Sequence, residues 1–400
     1  MKKLLCLLLS LMLLVPFAAP AEEEEDLSIE EIDEFVDLDS EGAEATPVPE
    51  NGEMIEDEET GETYFLTETE QEKYDSLIEE EPEDTGIDPD SLDVNPNLPD
   101  NVINILLIGV DTRTSDPQEI IGRGDTQIIL SVNRDTGAIK MASIVRDAYV
   151  TVSGFGTKNS SKDKINTSFQ RGCMQKKDAS IREQTHSGAA RAMRTVNYNF
   201  EMNIENYVAI NFNGLASIID SLGGIDIDLT KAEAGYINSY LAKHPPAYDN
   251  KAKGERVKLE KVSGVQHLDG VQAVMYARIR SISGSNDFTR TDRQRHLLDL
   301  LLKKVLQDLD FGTLMDLIDV AVSYADTNMN FQTMFDLARS LLPSLAAKGE
   351  GDSLFEQMRI PENGSYSYGT VKGQSVVKFN IAKHAKLLHE FIYGSYYPAE

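Results

Sequence analysis

The chain has 400 residues and a formal net charge of −29, which leaves room for two domains or for one domain with appendages. Residues 22–100 hold 33 of the 67 acids and a single base, Lys73, whereas the 300 residues that follow carry 34 acids and 35 bases. A nearly neutral folded part therefore stands behind an acidic arm that would be repelled by a phosphate backbone, which argues against nucleic-acid binding.

The elements follow in chain order. Met1-Lys2-Lys3, an apolar run over residues 4–15 and Ala19-Pro20-Ala21 read as a secretory signal over residues 1–21, with a retained short anchor as the alternative. Only Cys173 remains beyond it, so an internal disulfide is excluded even though export would permit one. Residues 22–100 are acidic, punctuated by proline and poor in aromatics, and are expected to be a disordered linker. The β-rich run 102–108 stops at Gly109 and reads as a buried strand. Strands over 128–132 and 139–144 flank the Gly-containing loop 133–137, a hairpin. A helix is expected over 187–198, a strand over 207–212, a helix over 214–222 ended by Gly223-Gly224, and a strand over 225–229. Residues 231–261 read as a polar excursion, followed by a helix over 271–278 and another from Arg290. The hairpin makes the sheet mixed, so residues 101–310 are assigned an α/β domain. Residues 311–400 form a C-terminal α+β extension, with helices over 312–324 and 331–342, strands over 365–370 and 375–380, and a final helix over 381–393.

The chemistry gathers at strand ends. Gly109-Val-Asp111-Thr112 closes the first strand, and Gly122-Arg123-Gly124-Asp125-Thr126 precedes the next. Open α/β sheets bind ligands at such ends. Two carboxylates there can share a divalent cation, since Mg²⁺ takes one or two carboxylates and completes its shell with water and phosphate oxygens. Arg146 and Lys164 add cations, and Arg278, Arg280, Asp287, Arg290, Arg293 and Gln294 crowd one short segment. Arginine forks suit phosphates. Singly, each aspartate reads as a turn or cap residue and the arginines as a solvated helix start. Together they favour a site for Mg²⁺ and pyrophosphate, with Mn²⁺ the alternative metal. The six histidines have no zinc-ligand spacing, and there is neither a P-loop nor a Gly-x-Ser-x-Gly elbow.

These blocks, with Ser143-Ile-Val-Arg-Asp147, Lys164-Ile-Asn166, Ser221-Leu-Gly-Gly-Ile225 and His267-Leu-Asp-Gly270, resemble the LytR-CpsA-Psr family over residues 102–309. The resemblance implies an α/β/α sandwich with a long apolar groove. It implies an extracytoplasmic phosphotransferase, secreted or tethered at the outer face of the cell membrane, that moves a glycopolymer from a polyprenyl-pyrophosphate carrier to peptidoglycan through a phosphodiester link. By the same resemblance Asp111 and Asp125 are the Mg²⁺-linked acids. Arg123, Arg146, Arg278, Arg280, Arg290 and Gln294 are the pyrophosphate grip, and Asp287 is the acid beside them. Asp111 and Asp287 both stay open as the general base. Gly124 departs from the family, which usually has Ser there. The rival readings are a non-catalytic carrier or sensor of polyprenyl-pyrophosphate lipids and an envelope-linked transcriptional attenuator.

Overall fold

Four consecutive side chains, Ile105 to Ile108, are fully buried. Such a run has no polar face to offer water, so it can only be a strand covered on both sides. The structure is a computed structural model. It describes residues 53–56, 63–66, 87–112, 116, 118–153, 160–244, 246, 256–279, 282, 293, 296–297, 299–301, 303–304, 324–329, 337 and 355–399. The signal segment lies outside the described residues.

Two short strands, β1 (Glu53–Glu56) and β2 (Thr63–Leu66), pair antiparallel. They belong to a unit spanning Pro20–Glu83, within an arm expected to have no regular structure. In the second unit the strands of the central sheet are β3 (Val102–Asp111), β4 (Arg123–Asn133), β5 (Ile139–Ile144), β8 (Asn206–Asn211), β11 (Ala325–Thr327) and β12 (Glu356–Ile360). Between β5 and β8 lie the hairpin β6 (Tyr149–Val152) and β7 (Ser161–Lys164) and the helices α1 (Thr167–Gln175) and α2 (Ile181–Phe200). After β8 come α3 (Phe212–Ser221), β9 (Ile225–Leu229), α4 (Lys231–Lys243), β10 (Gly264–Leu268) and α5 (Gly270–Ala277). The hairpin β13 (Tyr366–Val371) and β14 (Gln374–Phe379) and the helix α6 (Ile381–Tyr393) close the chain.

The sheet order is β11-β8-β3-β4-β5-β12. β3 pairs parallel with β8, and β5 parallel with β12, while β4 and β11 run antiparallel to their neighbours. The mixed sheet is the one that the hairpin over 133–137 demands. The C-terminal ends of β8, β3, β5 and β12 consequently lie at one end of the sheet, together with the start of β4.

Helices cover both faces. Leu106, Ile108, Val110, Ile129, Tyr207 and Ala209 form one core with Ala189, Ala192, Met193, Val196 and Phe200 of α2 and with Leu388 and Ile392 of α6. The α2 positions recur at helical spacing, so one stripe faces the sheet. α1 crosses α2 closely: a Cβ on Gly172 would lie 2.3 Å from the Ser187 carbonyl oxygen, so only glycine fits. Ile210 alternates to the opposite face and meets Gly214 of α3, which makes the helix–sheet–helix sandwich.

Several boundaries differ from expectation. Order was expected to begin at Asn101, but Leu92, Asn95 and Leu98 are buried. Arg194 of α2 pairs with Asp93 at 2.7 Å, and Asn197 donates to the Leu92 carbonyl at 2.9 Å. The local composition of residues 87–100 is polar, yet Leu92 joins the core that α2 lines. The tail is not a mere appendage either, since β12 completes the sheet and α6 supplies core. The excursion over 231–261 begins with α4, capped by Thr230 and Glu233 and buried through Ala234, Ile237 and Leu241. Its sparse apolar positions hid the helical period. The expected helices over 312–324 and 331–342 lie outside the described residues apart from Tyr324 and Leu337, and so does most of the helix from Arg290.

Candidate functional site

β3 ends at Asp111 opposite Arg123, the first residue of β4. Val110 pairs with Gly124 and Gly109 with Thr126, so Asp125 is an extra residue with no partner on β3. It is the outlier of a β-bulge, the device that turns a side chain out of the regular pleat. Gly124 beside it sits in close quarters. A Cβ there would approach Ile108 Cγ2 at 3.2 Å and Gln127 Nε2 at 3.3 Å, which accounts for glycine at this departure from the family.

The re-aimed carboxylate is gripped from both sides. Arg146 donates to Asp125 Oδ2 at 3.0 Å, and Asn166 Nδ2 donates to Oδ1 at 2.8 Å. Arg146 also lies 3.8 Å from Asp147, and Lys164 Nζ lies 2.8 Å from the other Asp147 oxygen. Charges of alternating sign thus run Lys164–Asp147–Arg146–Asp125, with every side chain between 12% and 30% exposed. Partial burial keeps such pairs from being screened as surface pairs are.

Local chain geometry holds the string in place. Gly124 N–H donates to the Asn166 carbonyl at 3.1 Å, and Asn166 N–H to the Arg146 carbonyl at 3.3 Å. The β6–β7 hairpin that delivers Lys164 and Asn166 is docked by Asn199 of α2. That side chain accepts from Thr151 N–H at 3.1 Å and donates to Thr151 O at 2.8 Å, so it serves β6 as a neighbouring strand would.

Arg278 reaches the same end by another route. Its guanidinium carbon lies 4.4 Å from the centre of the Phe212 ring. Phe212 follows Asn211, which pairs with Val110 one residue before Asp111. Arg123 is exposed and pairs with no described carboxylate.

Three buried acceptors in this region have no hydrogen-bond partner: Asp111 Oδ1, Gln127 Oε1 and Asn166 Oδ1. Buried acceptors without donors are costly. Oxygens of this kind suit a hard cation or the donors of a ligand. Among the described residues no three His, Cys, Asp or Glu side chains gather into a closed metal cage. An oxygen set with few carboxylates is what Mg²⁺ uses when phosphate and water complete its shell, so the residues present fit that ion.

The structure thus brings Asp125, Arg146 and Lys164 together, sets Asp111 opposite Arg123, and stacks Arg278 on Phe212, just beyond the end of β8. Arg293 meets a carboxylate of the protein itself. Its Nε donates to Glu233 at 2.5 Å, with only 12% and 9% of the two side chains exposed, and the guanidinium also approaches the Ile279 carbonyl. Burial pushes the Glu233 carboxyl up, but hydrogen bonds from Arg293 and Thr230 outweigh it and hold its pKa below the usual value. Arg293 thus has a carboxylate partner at the start of α4. Arg280, Asp287, Arg290 and Gln294 lie outside the described residues. Cys173 is buried beneath α2 with its thiol pushed up to about 12 by burial. Asn166 and Asp147 were within recognised blocks, but their roles depend on contacts with Asp125 and Lys164, which are 41 and 17 positions away, and spacing does not reveal these.

The LytR_cpsA_psr family model matches residues 62–386, a longer stretch than the motif blocks alone cover. A relative from Bacillus subtilis (strain 168), named polyisoprenyl-teichoic acid–peptidoglycan teichoic acid transferase TagU, is 28% identical over 66% of this chain and 72% of its own. Biofilm regulatory protein A of Streptococcus mutans is 28% identical over 73% of this chain and 69% of its own. The crystal structure of protein gbs0355 from Streptococcus agalactiae superposes with a TM-score of 0.53 at 20% identity, covering 74% of this chain and 87% of that one. That likeness concerns the fold.

Proposed function

The chain belongs to the LytR_cpsA_psr family, and from that premise we propose that it transfers a glycopolymer from a polyprenyl-pyrophosphate carrier to peptidoglycan, leaving a phosphodiester link. The observation that carries this reading is the bulge-borne Asp125, held by Arg146 and Asn166 at the sheet end where Asp111 Oδ1 is buried without a donor. The teichoic acid transferase named among the relatives supports the reaction class.

In the proposed step an acceptor hydroxyl oxygen on peptidoglycan attacks the phosphorus that bears the glycan. The bond between that phosphorus and the bridging oxygen breaks, and polyprenyl monophosphate leaves with the electron pair. The hydroxyl proton passes to a carboxylate base. Asp111, with an unpartnered oxygen, suits this role, and Asp287 is the other candidate. Phosphoryl transfer asks the protein for positioning and charge neutralisation more than for covalent chemistry. Arg146, Arg123 and Arg278 would hold phosphate oxygens, while Lys164 acts through Asp147 to keep Arg146 oriented. Asp111 and Asp125 would hold Mg²⁺, which supplies positive charge to the phosphate oxygens as the leaving group departs. The apolar run over residues 4–15 and a lipid-linked substrate support an activity at the outer face of the cytoplasmic membrane as part of this proposal.

Mass spectrometry of lipid co-purified with the full chain tests the substrate class. A polyprenyl phosphate or pyrophosphate is expected, and a preparation that neither carries nor takes up such a lipid would count against the reading.

A further inference from the structure

Among the described α-helices, five begin with a side-chain cap: Ser180, Asn211, Thr230, Asp269 and Asn380 each accept a hydrogen bond from a backbone N–H of the first turn. α1 is different. Asn166 stands at its cap position with helical φ −62° and ψ −16° and makes no side-chain cap bond. Asparagine is among the best cap residues, so its side chain has been turned away from its ordinary use.

It points to Asp125. Nδ2 donates to Asp125 Oδ1 at 2.8 Å. The nitrogen must face that carboxylate, because the amide oxygen would repel it. This fixes Oδ1 on the other side, where it is buried without a partner in a residue only 3% exposed. The backbone of Asn166 is pinned as well, through Gly124 N–H and the Arg146 carbonyl. Swinging the amide elsewhere would break its bond to Asp125.

We infer that Asn166 is a positioning residue of this site, one that couples Asp125 to the divalent cation accompanying a pyrophosphate. Its nitrogen sets the Asp125 carboxylate, and its oxygen adds an uncharged acceptor on the cation's side. The inference rests on the proposed function for its ligand class, a pyrophosphate with its counter-ion. Arginine needs no such partner, so the role is confined to the cation-dependent part of binding.

The test is calorimetric titration of the full chain with inorganic pyrophosphate, with and without Mg²⁺, alongside thermal unfolding of the ligand-free protein. Loss of a residue that orients a metal ligand typically weakens metal binding about 10- to 100-fold. Asn166→Ala is expected to weaken pyrophosphate binding by at least about tenfold in Mg²⁺ and to leave the Mg²⁺-free affinity and the unfolding temperature close to those of the parent. Asn166→Ser supplies a good cap residue but not the reach, so it should show the same Mg²⁺-confined loss, and it keeps the test valid should the alanine variant fail to fold. Unchanged affinity in both variants, an equal loss with and without Mg²⁺, or a fall in unfolding temperature for Ala that Ser reverses together with binding would each overturn the inference. If the chain carried out no glycopolymer transfer but the Mg²⁺-confined loss appeared, the proposed reaction would fail and the role of Asn166 would stand.

Discussion

Arg293–Glu233 and Arg146–Asp125 are both arginine–carboxylate pairs set beside the start of a helix, yet one is closed and the other open. Glu233 takes hydrogen bonds from Arg293 and from the Thr230 hydroxyl and N–H, and it is itself the reciprocal half of a capping box. Asp125 takes its bonds from Arg146 and Asn166, but Asn166 passes on an unused acceptor and Asp111 nearby in the sheet has another. The first pair is more deeply buried than the second. Removing a member of the closed pair should therefore be felt as lost stability, and removing a member of the open one as lost chemistry.

The largest expected effect is on turnover. Asp125→Asn keeps volume and shape but removes the charge at the bulge, and should reduce transfer by about 100- to 1,000-fold, the range for losing one electrostatic contact to a transition state. Its unfolding temperature should stay near that of the parent. A near-normal rate in the purified variant would erase the distinction between the two pairs.

Next comes Arg293→Ala, which leaves Glu233 buried without its cation. Breaking a buried pair costs about 3–5 kcal/mol, and the low end is expected here because Thr230 still donates. Denaturant unfolding measures this loss, while the pyrophosphate affinity of the folded variant should be retained. A stable variant with weakened affinity would put Arg293 in the phosphate grip.

A smaller effect sharpens the same point by pH. The Glu233 carboxyl titrates below its ordinary range in the folded protein. Its stabilising contribution is therefore present above the unfolded value, about 4.3, and is lost as pH falls through the lowered folded value. The stability gap between parent and Arg293→Ala should be widest near neutrality and should narrow below that range. A gap constant from pH 7 to pH 3 would show that lost packing, and not the ion pair, sets the cost.

Much of the architecture was legible because apolar periodicity reports burial directly. The run at 102–108, the hairpin about 133–137 and the helix over 381–393 each state their neighbourhood locally. What stayed hidden depends on partners distant in sequence. Leu92 is an isolated leucine in an acidic stretch, and it is buried only in the core that α2 helps to build. β12 carries Arg359 and Gln357 and reads poorly as a sheet member, yet it pairs with all but the first residue of β5. At the site, Asp111, Asp125, Arg146 and Lys164 could be named from their places at strand ends. The β-bulge that isolates Asp125 could not, because it is a mismatch between two strands and belongs to neither alone. The partner of Arg293 was hidden for a like reason: its cluster of basic neighbours is sequential, whereas Glu233 is sixty positions away.

The central claim is that this sheet end transfers a glycan-bearing phosphoryl group and neither cleaves the glycan from its carrier nor merely holds the lipid. The most direct measurement incubates the purified full chain with a short-chain polyprenyl-pyrophosphate glycan and peptidoglycan oligomers, and quantifies both products by mass spectrometry. The account predicts polyprenyl monophosphate and phosphodiester-linked glycan in equal amounts, with both lost together in Asp125→Asn. Release of intact polyprenyl pyrophosphate, a glycan joined without phosphate, or binding with no product at all would contradict it.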